Sequence, residues 1–178
     1  MGTLLKPTRR IVTAINAEGR SYIAEDGESP ATVIGEHWKG CRNSNIWHTF
    51  GGGKVDAPDT IVEHQGVLPP SGGTVLRVID LPPEPKDPEV LEAIMKATFK
   101  QFYDDAGHHP DDRHAGMHIT DTIDYAIVLQ GQVVAVMEEG EAVMEAGDIL
   151  VQRGTNHSWV NRSDEIARIA FVLIDAQR

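Results

Sequence analysis

Apolar and β-branched residues fill most of the second half of the chain in short runs that are separated by Gly or Asp turns. Short runs bounded by such turns are typical of β-strands. The runs recur at roughly eight- to twelve-residue spacing, which favours a β-sandwich or barrel over a parallel sheet with crossover helices. The predicted strands are 125–129, 132–137, 141–144, 149–152, 157–161 and 166–174.

The first half of the chain is also predicted to be mostly extended. A β-branched run over 9–15, a turn signal at 16–19 and a second run over 20–24 predict a hairpin, whose second strand we expect to end at 26–30. Further strands are predicted at 31–34, 45–50 and 74–81. His48, on one of them, faces either a cavity or the surface. Gly51–Gly53 predicts a flexible loop, since no phosphate-binding motif follows it.

One segment changes from a period of two to a helical period. Asp87 is a good N-cap, Pro88 suits the first helical position and Glu89 adds favourable charge. Apolar residues then recur at spacings of three and four as far as Tyr103, which predicts one helix around 88–104. Its aromatic stripe either lines a ligand mouth or packs on the outside of a sheet, and the second is commoner for an amphipathic helix.

Length and charge narrow the class of protein. The 178 residues predict one structural domain, and the net charge of −11 opposes binding to nucleic acid or to an anionic membrane. No apolar run approaches the roughly 18 residues of a membrane span, and the start of the chain lacks the features of a secretory signal. The single cysteine, Cys41, excludes an internal disulfide and suits a reducing compartment, so we expect a cytoplasmic protein.

The candidate chemistry lies between His114 and Asn161. Four of the eight histidines fall at 108, 109, 114 and 118, and two of the predicted strands in this stretch carry an imidazole or a carboxylate near their starts. An all-β barrel can present a metal site from its wall in this way. A lone histidine at a strand start is more often a hydrogen-bonded structural residue. We expect His108 and His109, in a polar loop, to face solvent.

The residues from His118 through Asp124 to Gly131, followed by Gly147-Asp148, His157 and Asn161, resemble the two motifs of the cupin superfamily, in its small single-domain (type 2) form. The resemblance covers about residues 74–175. It implies an all-β double-stranded β-helix, or jelly-roll, barrel over 74–178. Residues 1–73 are then expected to form N-terminal strands and loops that pack on the barrel or on a dimer partner.

The resemblance implies one divalent transition metal held by His118, Asp124 and His157. Two histidines with one carboxylate form the facial set of non-heme iron sites, so Fe is favoured, with Mn, Ni, Cu or Zn allowed by the same ligand types. The match departs from the family pattern at several positions. Asp124 stands for the usual Glu, and Gly116 stands where the first histidine of a His-X-His pair belongs. His114 is either a compensating fourth ligand or a loop residue.

Three residues near the expected site are candidates for substrate contacts. Arg153 or Gln152, just before the turn that leads to His157, would orient a substrate carboxylate or phenolate. Arg153 is equally suited to a surface turn. Trp159 either stacks on a planar substrate or fills the barrel, and core filling is the commoner use. Tyr125 should point to the opposite face from Asp124.

The resemblance favours an enzyme, a mononuclear metal-dependent oxidoreductase of dioxygenase type that acts on a small oxygenated compound, aromatic or enolic. One alternative is a lyase (dehydratase or decarboxylase) or an isomerase that uses the metal as a Lewis acid. Another is a non-catalytic cupin that binds a small molecule, which Gly116 favours. The expected partners are a small-molecule substrate and a second copy in a homodimer, without nucleic acid or membrane. The fold alone does not name the reaction.

Overall fold

Antiparallel strands make up most of the computed structural model, which describes residues 4–111 and 113–178. Asp112 lies outside the described residues, and so does Met1–Thr3, which is part of the segment that is predicted to lack a secretory signal. Within the described residues there are thirteen strands, one α-helix and a 3₁₀ turn at Ile61–Glu63. The strands and the helix are β1 (Arg9–Ile15), β2 (Ser21–Glu28), β3 (Ala31–Ile34), β4 (Arg42–Thr49), β5 (Thr74–Leu81), α1 (Pro88–Phe102), β6 (Gly107–His108), β7 (His118–Ile119), β8 (Thr122–Gln130), β9 (Gln132–Met137), β10 (Glu141–Glu145), β11 (Ile149–Arg153), β12 (His157–Val160) and β13 (Ala167–Asp175).

Two sheets form the barrel. The larger sheet has six strands in the order β11-β8-β13-β5-β4-β3, and the other has five in the order β10-β9-β12-β7-β6. Consecutive strands such as β8 and β9 lie in different sheets, so the chain passes repeatedly from one sheet to the other. The predicted all-β jelly-roll barrel is confirmed. Since β3 and β4 belong to the larger sheet, part of the N-terminal region is continuous with the barrel.

The core lies between the two sheets. Val75, Val128 and Ile169 of the larger sheet and Val133 and Ala135 of the other belong to one cluster, and each is at most 1% exposed. Along β8 the buried positions alternate strictly with exposed or half-buried ones. The two-residue period of a strand therefore places Asp124, Ala126 and Val128 on the inward face together, as predicted.

The N-terminal hairpin forms a separate two-stranded sheet, β1 with β2. Its second strand continues through Glu28, four residues beyond the predicted run over 20–24, and Asp26 does not break it as predicted. Arg9 explains the difference, because its guanidinium donates to both carboxylate oxygens of Asp26 at 2.6 Å and keeps that residue paired with β1. The buried Arg10 attaches the hairpin to the barrel by donating to the Ile46 carbonyl at 2.8 Å.

Helix α1 begins as predicted. The Asp87 carboxylate accepts hydrogen bonds from the backbone N–H groups of Glu89 (3.0 Å) and Val90 (3.5 Å). The helix ends at Phe102, two residues before the predicted end, where the Tyr103 N–H donates to the Phe99 carbonyl at 2.9 Å. Neither α1 nor any other described helix is long and apolar enough to span a membrane.

Cys41 lies in the core beside the barrel interior. It is 3% exposed, and burial raises the pKa of its thiol to about 12, with a further contribution from the charge of Asp80. A thiol this far from ionisation is a poor nucleophile and a poor metal ligand. Cys41 is therefore a structural residue.

Candidate functional site

A cavity of about 90 Å³ lies inside the barrel between the two sheets. Most of its wall is apolar, with Trp159, Ile169 and Phe171 among the lining side chains. The charged or ionisable side chains that reach it are few: Cys41, Arg77, Tyr103, His118, Asp124 and His157. A small apolar cavity with a few polar groups is the usual form of a site for a small molecule.

Helix α1 covers this cavity. Its residues Met95, Thr98 and Phe99 line the wall, together with Tyr103 just after the helix. The alternative that the helix lines a ligand mouth therefore fits the structure better than the favoured prediction that it packs on the outside of a sheet. A sheet exterior and a cavity mouth both require the same amphipathic period, so the apolar spacing does not distinguish them.

His118 and His157 stand side by side at the cavity. They are directly opposite each other in the pairing of β7 with β12, so their side chains lie on the same face of the sheet. The ring centroids are 4.3 Å apart at an interplanar angle of 45°. Residues 39 positions apart in sequence are thus brought together by strand pairing, as the resemblance implies.

Both imidazoles are held through their Nδ1 atoms. Nδ1 of His118 donates to the Gly116 carbonyl at 2.9 Å, and Nδ1 of His157 donates to the Thr155 carbonyl at 2.9 Å. A carbonyl oxygen can only accept, so in the tautomer that makes these two bonds the proton of each neutral ring is on Nδ1 and the lone pair is on Nε2. Metal-binding histidines are typically oriented in this way by a backbone carbonyl.

Both rings stay neutral at physiological pH. Burial lowers the pKa of His118 to about 3, and the neighbouring His157 lowers it further against the hydrogen bond to Gly116. Burial likewise lowers the pKa of His157 to about 4, with the bond to Thr155 acting in the opposite direction. Neutral imidazole is the form that ligates a metal.

Asp124 projects into the same cavity from β8. It is 3% exposed, and no described group lies within hydrogen-bonding distance of its buried Oδ1. Burial raises its pKa to about 6, against the lowering effects of Thr122 and of the positive charge of Arg77. As the sequence predicts, Asp124 shares the inward face with Ala126 and Val128, and Tyr125 points outward.

These side chains fit a divalent metal in their chemistry. Two neutral imidazoles with unprotonated Nε2 atoms and a carboxylate with an unpartnered buried oxygen are the donors that such an ion takes. They are not gathered into a finished site, because no three His, Cys, Asp or Glu side chains of residues 4–111 and 113–178 are close enough together to hold one ion. His118 and His157 form the closest part of the set.

His114 does not lie at the cavity. Its Nδ1 accepts from the Gly116 N–H at 3.0 Å and is 2.8 Å from the Ser158 hydroxyl. Its Nε2 lies 3.0 Å from the Glu84 carboxylate, although the angle falls short of a good hydrogen bond. Because both ring nitrogens face these neighbours, the structure does not support His114 as a fourth ligand.

Gly116 has no room for the histidine that the family pattern places there. A Cβ atom at this position would lie 2.9 Å from Ser158 Oγ, 3.1 Å from His114 Nδ1 and 3.2 Å from Met95 Sδ. All three distances are shorter than ordinary van der Waals contact, so these side chains would have to shift. The helix and the His114 loop thus occupy the space of the missing side chain.

The three predicted substrate contacts have different positions. Gln152 is buried beside His157, with its side-chain nitrogen 2.8 Å from Nδ1, and its Oε1 accepts from the Thr155 N–H at 3.2 Å, so it fixes the turn before the histidine from β11. Arg153 is exposed on the opposite face of β11 and is not part of the cavity wall. Trp159 lines the cavity and also makes edge contacts with His157 (5.4 Å) and Phe171 (5.0 Å).

The two loop histidines also differ from each other. His109 is exposed, as predicted, but His108 is half-buried, and the prediction that it faces solvent is wrong. Its ring stacks on Phe99 at 4.1 Å, and it pairs with His118 across β6 and β7. The sequence gives no sign of this two-residue strand, which exists only because β7 lies beside it.

Arg77 is the main site residue that the sequence did not identify. It is 1% exposed and lines the cavity from β5. A charged residue at an inward position is the only signal, and it is ambiguous because Asp80 places a charge on the other face of the same strand. Asn161, by contrast, is structural: its amide donates to the carbonyls of Leu81 (2.7 Å) and Glu165 (2.8 Å).

Comparison with known families matches residues 108–174 to the cupin domain. The matched segment contains His118, Asp124 and His157. Among solved structures, a cupin 2 conserved barrel domain protein from Salinispora arenicola superposes with a TM-score of 0.42 at 16% identity, covering 80% of this chain and 82% of that protein.

Several curated fungal proteins are similar to parts of this chain. Phomopsin biosynthesis cluster protein C' of Diaporthe leptostromiformis is 46% identical over 63 residues, which are 34% of this chain and 33% of that protein. Oryzines biosynthesis cluster protein J of Aspergillus oryzae is 34% identical over 99 residues, 46% and 55% of the two chains. A cupin-domain-containing oxidoreductase of Hypocrea virens is 25% identical over 186 residues, 97% and 78% of the two chains. This chain thus spans between a third and about half of the first two relatives.

Proposed function

This chain is a small cupin-domain protein, and from that premise we propose that it is a metal-dependent oxidoreductase that acts on a small oxygenated organic compound in the barrel cavity. Relatives that cover most of the chain, such as the Hypocrea virens protein, are named cupin-domain-containing oxidoreductases. That name supports the class of reaction. The metal dependence is supported by the side chains of the cavity.

The observation that carries the proposal is the pair His118 and His157. Their rings are neighbours across two strands, both Nδ1 atoms donate to backbone carbonyls, and both side chains line an apolar cavity. Structural histidines generally use both ring nitrogens, whereas a ligand keeps one lone pair free. Asp124 adds a carboxylate oxygen without a described partner in the same cavity.

In this proposal His118 and His157 hold a divalent transition metal, and Asp124 is the carboxylate ligand. When bound, such an ion with open coordination positions supplies redox chemistry with O₂, or Lewis-acid polarisation of a substrate oxygen. Gln152 keeps the His157 ring in place. Phe99, Trp159 and Phe171 exclude water from the substrate and pack against its carbon skeleton.

Metal analysis of the purified protein tests the site. Wild type should carry a transition metal, and His118→Ala or His157→Ala should lower the metal affinity by about 10- to 100-fold or more, since even residues that only support a ligand have effects of that size. His109→Ala is the matched control, because His109 is an exposed histidine of the same segment. Equal metal content in all four proteins would rule out these ligands.

Oxygen uptake then distinguishes the oxidoreductase from the lyase or isomerase. Phenols, diketones and hydroxy acids are suitable test substrates, with O₂ consumption and product formation measured together. The proposal requires product and O₂ consumption to rise together and to stop under strict anaerobiosis. Turnover that continues without O₂, and without another electron acceptor, would instead establish Lewis-acid chemistry.

A non-catalytic binding cupin is the second candidate. It is favoured by Gly116, where there is no room for a further imidazole, and by the absence of three gathered ligands in the described chain. A binding protein of this kind would be purified without a metal and would still bind a small molecule in the cavity. Calorimetric binding without turnover or metal would identify it.

We propose further that the chain forms a homodimer through the β1–β2 hairpin. The hairpin exposes three isoleucines, Ile11 at 50%, Ile15 at 73% and Ile23 at 57%, and the outer surface of the barrel exposes Ile149 and Val151 on its edge strand β11. Exposed apolar clusters of this kind are often contact surfaces. Light scattering should give twice the chain mass for wild type and the monomer mass for Ile15→Glu with Ile23→Glu.

A further inference from the structure

Arg77 occupies an unusual position in the wall of the cavity. On β5 it shares one face with Val75, Ile79 and Leu81, so it points to the inside of the barrel, where it is paired with Phe171 of the neighbouring strand β13. It is 1% exposed. A guanidinium has five N–H donors and no acceptor, so a buried arginine needs several oxygen partners.

Only one nitrogen of this guanidinium has partners among the described residues. Nη2 donates to the carbonyls of Gly66 (3.1 Å) and Val67 (2.8 Å) and to Nε2 of His64 (3.3 Å). Nε and Nη1 are buried and have no partner in this part of the chain. The side chain is therefore fixed at one nitrogen, and the N–H groups of the other two have no hydrogen-bond partner among the described residues.

The loop that holds Nη2 is itself fixed. The Asp105 carboxylate accepts from the backbone N–H groups of Val67 (2.7 Å) and Leu68 (2.9 Å), which keeps the two carbonyl groups turned toward Arg77. A donor that is positioned before binding loses little freedom when a ligand arrives. The guanidinium of Arg77 is therefore preorganised for binding.

The charge of Arg77 is also incompletely matched. No described carboxylate lies within 4.0 Å of it, although Asp105 and Asp124 are near enough to act on it electrostatically. Burying a charge without a partner is costly, and buried charges in proteins are normally paired. No other lysine or arginine lines the cavity in the described residues.

We propose that Arg77 binds the carboxylate of the substrate through its Nε and Nη1 groups, so that the substrate is a small carboxylic acid. This assignment names the substrate class of the proposed oxidoreductase and rests on that function. Phe171, opposite Arg77, and Trp159 contact the uncharged part of the molecule. Arg77 thereby takes the orienting role that the sequence suggested for Arg153.

Calorimetric titration with benzoate and with neutral benzamide tests the proposal on the purified full-length protein. The two probes have almost the same shape and differ in charge. Wild type should prefer benzoate, and Arg77→Met should weaken benzoate by about 10- to 100-fold while leaving benzamide unchanged, as expected for loss of hydrogen bonds to a charged group. Arg162→Met, which removes an exposed arginine outside the cavity, should match wild type.

Arg77→Lys provides a second variant that keeps the positive charge but not the fixed planar donors. It should bind benzoate more weakly than wild type and more tightly than Arg77→Met. Benzamide binding that is the same in the variants shows that the cavity is intact. Equal affinity of wild type for both probes, or equal benzoate affinity in wild type and Arg77→Met, would overturn the assignment, and so would no binding of either probe.

The same titration in the presence of a chelator separates this proposal from the metal site. Benzoate preference that survives chelation and depends on Arg77 supports the assignment even if the protein proves to contain no metal. Preference that disappears on chelation or in His118→Ala, and persists in Arg77→Met, places the anion at the histidines. That result would overturn the role of Arg77 and leave the proposed oxidoreductase standing.

Discussion

In the part of the chain that the structure describes, two pairs of histidines have rings packed against each other, and only one of these pairs looks like a ligand site. In the cavity, His118 and His157 have ring centroids 4.3 Å apart; His48 and His64, outside the cavity wall, are 5.4 Å apart. In the outer pair all four ring nitrogens have partners. His48 contacts Thr60 at 2.7 Å, the two Nδ1 atoms are 3.4 Å apart, and Arg77 donates to His64 at 3.3 Å.

The comparison shows that proximity alone does not make a metal site. The outer pair forms a hydrogen-bonded chain that ends at Arg77, so its imidazoles hold other side chains in place. In the cavity pair each ring uses Nδ1 for a backbone carbonyl and keeps Nε2 free. The outer pair, His48 and His64, thus helps to hold Arg77 in the wall of the neighbouring cavity.

Acid should destabilise the metal-free protein through both pairs. The pKa values of His118, His157 and His64 lie near 3, 4 and 4 in the fold, below the ordinary 6.5, so the unfolded chain takes up protons first. Their contribution is therefore complete above pH 6.5 and is lost as the pH falls toward 4. Each adds up to about 1.4 kcal/mol per pH unit to the slope of the unfolding free energy.

Urea unfolding with a chelator, across that pH range, measures this slope. His118→Gln and His64→Gln should each reduce it by about one proton's contribution, but only His118→Gln should lower the metal content of protein purified without chelator. A reduced metal content in His64→Gln would remove the distinction between the two pairs. An unchanged slope in both variants would contradict the neutral state of these rings.

Asp124→Asn should stabilise the metal-free protein at neutral and higher pH. Burial raises the folded pKa of Asp124 to about 6, so its ionised form costs stability above that pH, and the cost disappears below the ordinary value of 3.8. The expected gain at pH 8 is on the order of 3 kcal/mol. Thermal unfolding measures this gain, and Asp164→Asn, at an exposed turn, is the control. A loss of stability in Asp124→Asn at pH 8 would refute the prediction.

Gly116→Ala should destabilise the fold by about 1 to 2 kcal/mol, because its Cβ would press on Ser158, His114 and Met95. Gly27→Ala is the matched control, since a Cβ there meets nothing within 4 Å. Unfolding curves compare the two. A fully stable Gly116→Ala would show that the third imidazole is missing for a reason other than space.

The sequence predicts those parts of the protein that depend on local patterns. The two-residue period of a strand correctly places Asp124 on the face of Ala126 and Val128, and Asp87 with Pro88 correctly starts the helix. The ends of β2 and α1 are less accurate. The end of β2 depends on the pairing of Arg9 with Asp26, a contact across 17 residues.

The less predictable parts of the site depend on contacts between distant segments. His114 is drawn away from the cavity by Glu84 and Ser158, which are 30 and 44 residues distant in sequence. Arg77 becomes a cavity residue because of the pairing of β5 with β13 and the cover provided by α1. None of these contacts can be predicted from the spacing of residues along the chain.

Cys41 offers a practical measurement of barrel opening. Its thiol lines the cavity, is 3% exposed and ionises only near pH 12. Alkylating reagents should therefore modify it only when the barrel opens, because reaction requires both access and the thiolate. Since the chain has no other cysteine, the rate of labelling measures how often the barrel opens. A bound metal or carboxylate should lower that rate.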